Sequence, residues 1–216
     1  MTWTHWDVIV IGVGGMGAAA CWQLARRGAR VLGLEQFRLA HSRGSSHGQT
    51  RVIRTAYYEH PAYVPMVRRA FELWYDLEQL SGAKLLTECQ CLNVGRIDSE
   101  LILGVNRAAR EHDLAVESLT GGEIRRRFPA LHFDESYCGV LEHQAGFLDV
   151  ERCVRTMIRV ARRLGAVILS EVPVRGWSAD EDGIRVQTHL AEFTADRLVL
   201  TAGPWTRSLL QELNIP

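Results

Sequence analysis

The feature that most restricts the fold of this chain is the strand, turn and helix pattern at residues 7–35. The residues Asp7–Ile11 predict a buried, β-branched strand, which leads into the turn GVGGMG with glycines at the spacing G-x-G-x-x-G. An alanine-rich helix follows, ends before Gly28, and gives way to a second predicted strand, RVLGLE. This order predicts a βαβ unit of a parallel sheet with helices packed on its faces.

Each glycine of this turn has a mechanical purpose in such a unit. Gly12 allows a tight turn, Gly14 lets the backbone approach a pyrophosphate, and Gly17 lets the helix pack against the strand. The helix N-terminus then faces the phosphates, and a carboxylate that ends the second strand can accept hydrogen bonds from a ribose. The expected contacts of this dinucleotide site are Gly12, Gly14, Gly15, Met16, Gly17, Glu35 and Gln36. Because the carboxylate suits the ribose of FAD and of NAD equally, the turn alone leaves both cofactors open.

Composition narrows the function classes. The 216 residues include 25 Lys plus Arg and 25 Asp plus Glu, so no net field directs the chain to nucleic acid or to an anionic membrane. No apolar run approaches the length of a membrane span, and the first residues enter a strand without a leader pattern, which favours a cytoplasmic location. The histidines and five cysteines show no metal-ligand spacing, so we expect no metal. Cys89 and Cys91 are expected to be buried structural thiols on one face of a strand.

The rest of the chain alternates helix and strand patterns, without a linker-like segment or an internal repeat. An apolar stripe predicts a helix over Pro61–Leu80, and Thr120 with Glu123 predicts a capping box at the start of a shorter helix. A further helix is predicted over Val150–Leu164, with Asp149 as its cap. Strand patterns lie at residues 85–97, 166–171, 183–189 and 196–203. We therefore expect an α/β fold in which a second domain is inserted into the nucleotide-binding domain.

The most polar stretch, SRGSSHGQTRVIR at residues 42–54, follows the second strand closely. If it forms one helical turn, Arg51 and Arg54 share a face. Guanidinium groups bind carboxylates bidentately and stabilise developing negative charge, so the pair is typical of a site for an anionic substrate. Ser, Thr and Arg are also ordinary residues of a polar loop that caps the next element, and the residues alone leave that alternative open.

Four segments resemble one family of flavin enzymes. The segments GVGGMG, LEQFRLAHSRGSSHGQTRVIR, YVPMVRRAFELWYDLE and LVLTAGPWTRSLL are similar to those of the monomeric sarcosine oxidase, N-methyltryptophan oxidase and pipecolate oxidase family. The resemblance implies a Rossmann-type, glutathione-reductase-like FAD-binding domain in two segments, at residues 6–86 and 147–216. It implies that residues 87–146 begin an inserted mixed-sheet substrate domain. It further implies a monomeric FAD-dependent oxidase that converts a secondary amino acid and dioxygen to an imine and hydrogen peroxide.

The resemblance also assigns roles to individual residues. In the family, the arginine matching Arg51 lies against the flavin ring, and the arginine matching Arg54 pairs with the substrate carboxylate. We expect His47 to contact the flavin rather than to act as a base. The expected catalytic residues are Arg51, Arg54, His47 and Thr50. The remaining cofactor contacts that the resemblance implies are Arg43, Ser45, Ser46, Val174, Ala202 and Gly203.

Members of this family are nearly twice as long as the present chain. Their flavin is usually attached to a cysteine in the C-terminal half, where further active-site residues lie, and none of the five cysteines here matches that position. We therefore expect the N-terminal part of such an oxidase, incomplete and inactive by itself. The alternatives are a nicotinamide-dependent dehydrogenase and a non-catalytic dinucleotide-binding fragment. The polar stretch favours the flavin hypothesis, because a simple NAD domain does not need it.

Overall fold

The computed structural model describes residues 5–210, which divide into two compact units. Unit 1 comprises residues 5–49 and 149–210, and unit 2 comprises residues 50–148. In chain order, the elements are β1 (His5–Ile11), α1 (Gly15–Arg26), β2 (Val31–Leu34), β3 (Thr50–Arg54), α2 (Tyr63–Ser81), β4 (Leu86–Glu88), β5 (Cys91–Arg96), α3 (Glu100–His112), β6 (Val116–Thr120), α4 (Gly121–Arg127), β7 (Tyr137–Glu142), β8 (Ala145–Asp149), α5 (Val150–Arg163), β9 (Val167–Leu169), β10 (Val174–Asp180), β11 (Gly183–Thr188), β12 (Glu192–Leu200), a 3₁₀ turn (Gly203–Trp205) and α6 (Thr206–Leu209). The domain boundaries at 86/87 and 146/147 remain a prediction.

Unit 1 is built on a six-stranded sheet with the order β10-β11-β12-β1-β2-β9. The strands β9, β2, β1 and β12 run parallel, so their carboxyl ends lie along one edge of the sheet. Ile11 at the end of β1 pairs with Leu34 on one side and with Leu200 on the other. The strands β10, β11 and β12 pair antiparallel and extend the sheet. This arrangement confirms the expected α/β class with a parallel sheet.

The core of unit 1 follows from the apolar runs in its parallel strands. Ile9 and Val10 have no exposed surface, as expected for a strand that is covered on both faces. The helix α5 buries one apolar face that includes Val154 and Met157. It ends at Arg163, Leu164 is its C-cap, and the glycine that follows lies in the left-handed region. Asp149 occupies the N-cap position of α5 as expected, but its side chain accepts no hydrogen bond from the backbone N–H groups of the first turn.

Unit 2 contains two three-stranded sheets with the orders β3-β8-β4 and β5-β7-β6. The helix predicted over Pro61–Leu80 is α2, and Gly82 ends it in the left-handed conformation that glycine favours. Thr120 and Glu123 form the predicted capping box at the start of α4. A core cluster that includes Val64, Ile102 and Val105 packs α3 against the β5-β7-β6 sheet.

Two local predictions were wrong. The polar stretch does not continue as a helical turn, because Thr50–Arg54 is the strand β3. Side chains alternate across a strand, so Arg51 and Arg54, three residues apart, point to opposite faces. Cys89 lies exposed between β4 and β5, where the next residue has a positive φ of 65°, so Cys89 and Cys91 do not share one strand face.

Candidate functional site

Unit 1 has a cleft of about 480 Å³ at the carboxyl ends of β1, β2 and β12. Ligands of open parallel sheets bind at this edge, because the loops that leave neighbouring strands diverge there. The turn after β1, the end of β2, part of the polar stretch and the segment after β12 form its walls. The predicted contacts that line it are Gly12, Gly14, Gly15, Met16, Glu35, Gln36, Ser45, Ser46, Val174, Ala202 and Gly203.

The glycine turn is held tightly against the end of β12. Gly12 has a φ of +89°, and a Cβ atom there would lie 2.6 Å from the carbonyl oxygen of Thr201. The Thr201 hydroxyl donates to the Gly12 carbonyl at 2.7 Å. Gly17 does not line the cleft, and a Cβ atom on it would lie 1.8 Å from the Gly12 carbonyl oxygen. Gly12 and Gly17 are therefore required by the close approach of the turn, β12 and α1.

The N-terminus of α1 opens into the cleft. Its N-cap is Gly14, which offers no side chain, and the first turn of the helix carries no acidic residue. The backbone N–H of Gly15 donates instead to the hydroxyl oxygen of Ser46 at 2.9 Å. The positive end of a helix, with N–H groups that lack carbonyl partners, is suited to a phosphate. A Cβ atom on Gly14 would find only Ser46 within 4 Å, so this glycine keeps space open rather than relieving a clash.

Glu35 is buried at the end of β2, with 4% of its surface exposed. One carboxylate oxygen accepts from the backbone N–H of Val13 at 2.9 Å, and the other accepts from the N–H of Phe37 at 3.0 Å. The side chain therefore ties the glycine turn to the end of β2. A carboxylate has about four acceptor positions, so capacity remains for ribose hydroxyl groups.

His41 also lines the cleft and was not predicted. Its Nδ1 accepts from the backbone N–H of Arg43 at 3.0 Å, so a neutral ring carries its hydrogen on Nε2, which lies 3.4 Å from a carboxylate oxygen of Glu35. The ring contacts Phe37 and Trp205 edge-on, with centroids 4.9 and 6.3 Å away. No sequence spacing marks this histidine, because its partner Trp205 lies at the opposite end of unit 1's sequence.

Several other lining residues were missed, and some predicted residues lie elsewhere. The unpredicted lining residues include Val154, Val172, Leu200, Thr201, Trp205 and Leu209. Arg43 does not line the cleft, since its guanidinium lies 4.5 Å above the ring of Phe37. His47 is exposed and does not line it either. Thr50, Arg51 and Arg54 belong to β3 of unit 2, and their roles stay predictions.

Within unit 2, Arg54 has a defined set of partners. Its Nη2 donates to both carboxylate oxygens of Glu59, at 3.2 and 3.3 Å. Its guanidinium carbon lies 4.8 Å above the ring of Tyr57 and 5.5 Å from that of Tyr58. The side chain is 22% exposed, so solvent reaches part of it. Arg51 is exposed, and its Nη1 donates to the carbonyl oxygen of Thr50 at 3.0 Å.

Between residues 5 and 210, no group of three or more His, Cys, Asp or Glu side chains is arranged to hold a metal ion. No helix in that range is long and apolar enough to cross a membrane.

Comparison with known proteins decides the family. The sequence profile described as FAD dependent oxidoreductase matches residues 7–216. The chain belongs to this family. Monomeric sarcosine oxidase from Streptomyces avermitilis is 44% identical over 211 residues, which are 98% of this chain and 55% of that protein. N-methyl-L-tryptophan oxidase from Yersinia pestis is 37% identical over 97% of this chain and 57% of its own length.

A solved structure has a similar fold. NikD, described as an unusual amino acid oxidase essential for nikkomycin biosynthesis, matches with a TM-score of 0.87 and 30% identity, over 97% of this chain and 54% of its own. The chain spans about half the length of the curated relatives it matches. Family membership confirms the resemblance seen in the sequence and does not favour the nicotinamide alternative.

Proposed function

We propose that unit 1 binds FAD and that the protein is an oxidase of N-methylated or other secondary amino acids. The observation that carries the proposal is the cleft, where a glycine turn, an open helix N-terminus and a buried carboxylate meet at the carboxyl ends of parallel strands. The family and the names of the relatives support the flavin and the amine substrate.

The residues of the cleft fit the parts of FAD. The backbone N–H groups at the start of α1 suit the pyrophosphate, and the bare Cα of Gly14 leaves room for it. The remaining acceptor capacity of Glu35 suits the ribose hydroxyl groups. Bound FAD supplies the acceptor for the two electrons that leave the carbon–nitrogen bond of the substrate. With dioxygen as final acceptor, the products are an imine, which water hydrolyses, and hydrogen peroxide.

Arg54 is the residue that we propose to bind the substrate carboxylate. A guanidinium has five N–H donors, and Glu59 engages those of one nitrogen, so donors remain for a second carboxylate. The rings of Tyr57 and Tyr58 restrict the guanidinium, which lowers the entropy that substrate binding costs. Arg51 is proposed, on the resemblance alone, to lie against the flavin ring.

The cofactor is tested first. The whole gene product should carry bound flavin, seen as the visible absorption of a yellow protein, and should release hydrogen peroxide with sarcosine, N-methyltryptophan, pipecolate or proline, whereas residues 1–216 alone are expected to release none. A colourless protein that binds NAD with micromolar affinity would contradict the proposal. Bound flavin without peroxide from any amino acid would instead support a non-catalytic fragment.

The substrate contact is tested with Arg54→Ala. We expect KM for the amino acid to rise by the equivalent of about 2 kcal/mol, the low end of the range for a truncated charge pair, because Glu59 already neutralises this arginine. Arg54→Lys should recover part of the loss, since it keeps the charge but not the fork geometry. The control is Arg107→Ala, which removes another exposed Arg–Glu pair of unit 2, with Glu111 at 2.8 Å, and should leave KM unchanged. An unaltered KM in Arg54→Ala would refute the assignment.

A further inference from the structure

Glu142 is a fully buried carboxylate at the end of β7, and the proposed function does not use it. Its Oε2 accepts from the backbone N–H groups of Thr55 at 2.9 Å and Ala56 at 2.7 Å, and from the Thr55 hydroxyl at 3.2 Å. Its Oε1 accepts from the side-chain amide of Asn93 at 2.9 Å. A carboxylate without exposed surface is costly unless donors surround it, and here both oxygens are engaged.

The two backbone groups that Glu142 holds begin the segment that encloses the Arg54 guanidinium. Residues 55–59 follow β3 directly, and they supply each partner described above for that group: the rings of Tyr57 and Tyr58 and the carboxylate of Glu59. The position of the guanidinium therefore depends on the path of this segment.

Helix α3 fixes the same segment at a second point. A Cβ atom on Gly104 would lie 2.2 Å from the carbonyl oxygen of Tyr58, so the helix and the segment touch backbone to backbone. Ala56 and Tyr58 also pack with the core cluster that includes Ile102 and Val105. Apolar packing holds the segment against α3, but it does not orient consecutive N–H groups, whereas the buried carboxylate does.

We propose that Glu142 is a positioning residue for Arg54. It fixes the backbone at Thr55–Ala56, and thereby holds the aromatic rings and the guanidinium in the arrangement that receives a carboxylate ligand. The inference rests on the proposed role of Arg54 and adds a buried residue that does not touch the ligand. It predicts that a change at Glu142 weakens carboxylate binding, while flavin content and turnover at saturating substrate stay near the wild-type values.

The test uses the flavin-loaded protein expressed from its gene and methoxyacetate as the probe. Methoxyacetate has an ether oxygen in place of the amine nitrogen of N-methylglycine, so it offers the carboxylate without an oxidisable amine. Glu142→Ala leaves the Thr55 and Ala56 N–H groups unpaired, and we expect its Kd for methoxyacetate to rise about tenfold. Glu142→Gln keeps an acceptor for these groups, and its amide can pair with a flipped Asn93, so it should recover most of the affinity.

Thr55→Val is the matched control, because it removes a hydroxyl that donates to the same carboxylate but keeps both backbone N–H groups. It should bind methoxyacetate as the wild type does. Gly104→Ala tests the path of residues 55–59 separately if Glu142→Ala does not fold. The new methyl group of α3 would displace the Tyr58 carbonyl while Glu142 stays in place, and a similar loss of affinity is expected.

Four results would overturn the inference or its basis. Wild-type affinity in a folded Glu142→Ala shows that Glu142 is only structural, and wild-type affinity in a folded Gly104→Ala shows that the path of residues 55–59 does not control carboxylate binding, which removes the basis of the inference. An equal loss of affinity in Thr55→Val shows that the hydroxyl contact to Glu142 sets the affinity, and not the two backbone N–H groups that Glu142 holds. Arg54→Ala that binds methoxyacetate normally refutes the proposed role of Arg54 itself, and the positioning role falls with it. The failure of the inference is thus distinct from the failure of the proposed function.

Discussion

Replacing Glu35 by alanine should destabilise the protein even without a cofactor. The carboxylate accepts from the N–H groups of Val13 and Phe37, so it joins the glycine turn to the end of β2 before any ribose arrives. In Glu35→Ala these two N–H groups lose their partners. The effect of the substitution on FAD binding is therefore accompanied by an effect on folding.

The magnitude follows from the burial of the two donors. An unpaired buried N–H costs about 1–3 kcal/mol, and this full range applies to Val13, which is 1% exposed. The N–H of Phe37 is only partly buried, so water recovers part of its loss. We expect the free energy of unfolding to fall by about 2–4 kcal/mol in total. For a chain of this size, about 3 kcal/mol lowers Tm by about 6–12 °C. Glu35→Gln keeps one acceptor oxygen and should lose about half as much.

The assay is urea unfolding of the flavin-free protein, followed by FAD titration of the folded variants. Gln36→Ala is the control, because this neighbour lines the same cleft and makes no hydrogen bond comparable to those of Glu35. It should unfold at the wild-type urea concentration. If flavin-free Glu35→Ala unfolds within about 0.5 kcal/mol of the wild type, the carboxylate does not tie the turn to β2 and the reasoning is refuted.

Two further predictions concern the same unit. In Gly17→Ala the new methyl group would lie 1.8 Å from a carbonyl oxygen of the turn, so we expect urea unfolding to show a free energy of unfolding lower by about 3 kcal/mol or more. Gly14→Ala has its nearest contact at 3.4 Å, so it should fold normally but lose FAD. Equal stability of the two variants would contradict this expectation. Cys21 has no exposed surface, and burial raises the pKa of its thiol to about 12, so iodoacetamide at about pH 8 should modify the exposed Cys89 and not Cys21 in the native protein. Mass spectrometry of the labelled peptides measures this, and rapid labelling of Cys21 would show that the helix α1 opens readily.

The parts of the fold that the sequence predicts well are those that short-range patterns determine. The βαβ unit, the helix α2 and the capping box of Thr120 and Glu123 each depend on residues within about one element of one another. Glu35 and the glycine turn, apart from Gly17, line the cleft, and their roles in binding a cofactor stay predictions. The hydrogen bonds that the Glu35 carboxylate accepts from the backbone N–H groups of Val13 and Phe37 depend on a loop path that no motif encodes.

The errors arise where distant pairing decides the local structure. Thr50–Arg54 has the composition of a polar turn, but it pairs with β8, about 95 residues later, and so becomes a strand whose arginines face opposite ways. His41 reaches the cleft because Trp205 packs beside it, and that contact joins residues 164 positions apart. Asp149 precedes α5 as expected, but the backbone there does not bring its carboxylate to the helix N–H groups.

The pairing of β1 with β12 also sets the order in which the protein can form during synthesis. His5 pairs with Thr194 and Ile11 with Leu200, and the glycine turn is closed by Thr201. At about 5–20 residues per second, the ribosome needs about 10–40 s to supply these partners after β1 emerges. During that interval β1 has an unpaired edge, which is a site for aggregation and for chaperone binding. Residues 50–148 form a compact unit of their own and are complete before the last strand of unit 1 is made.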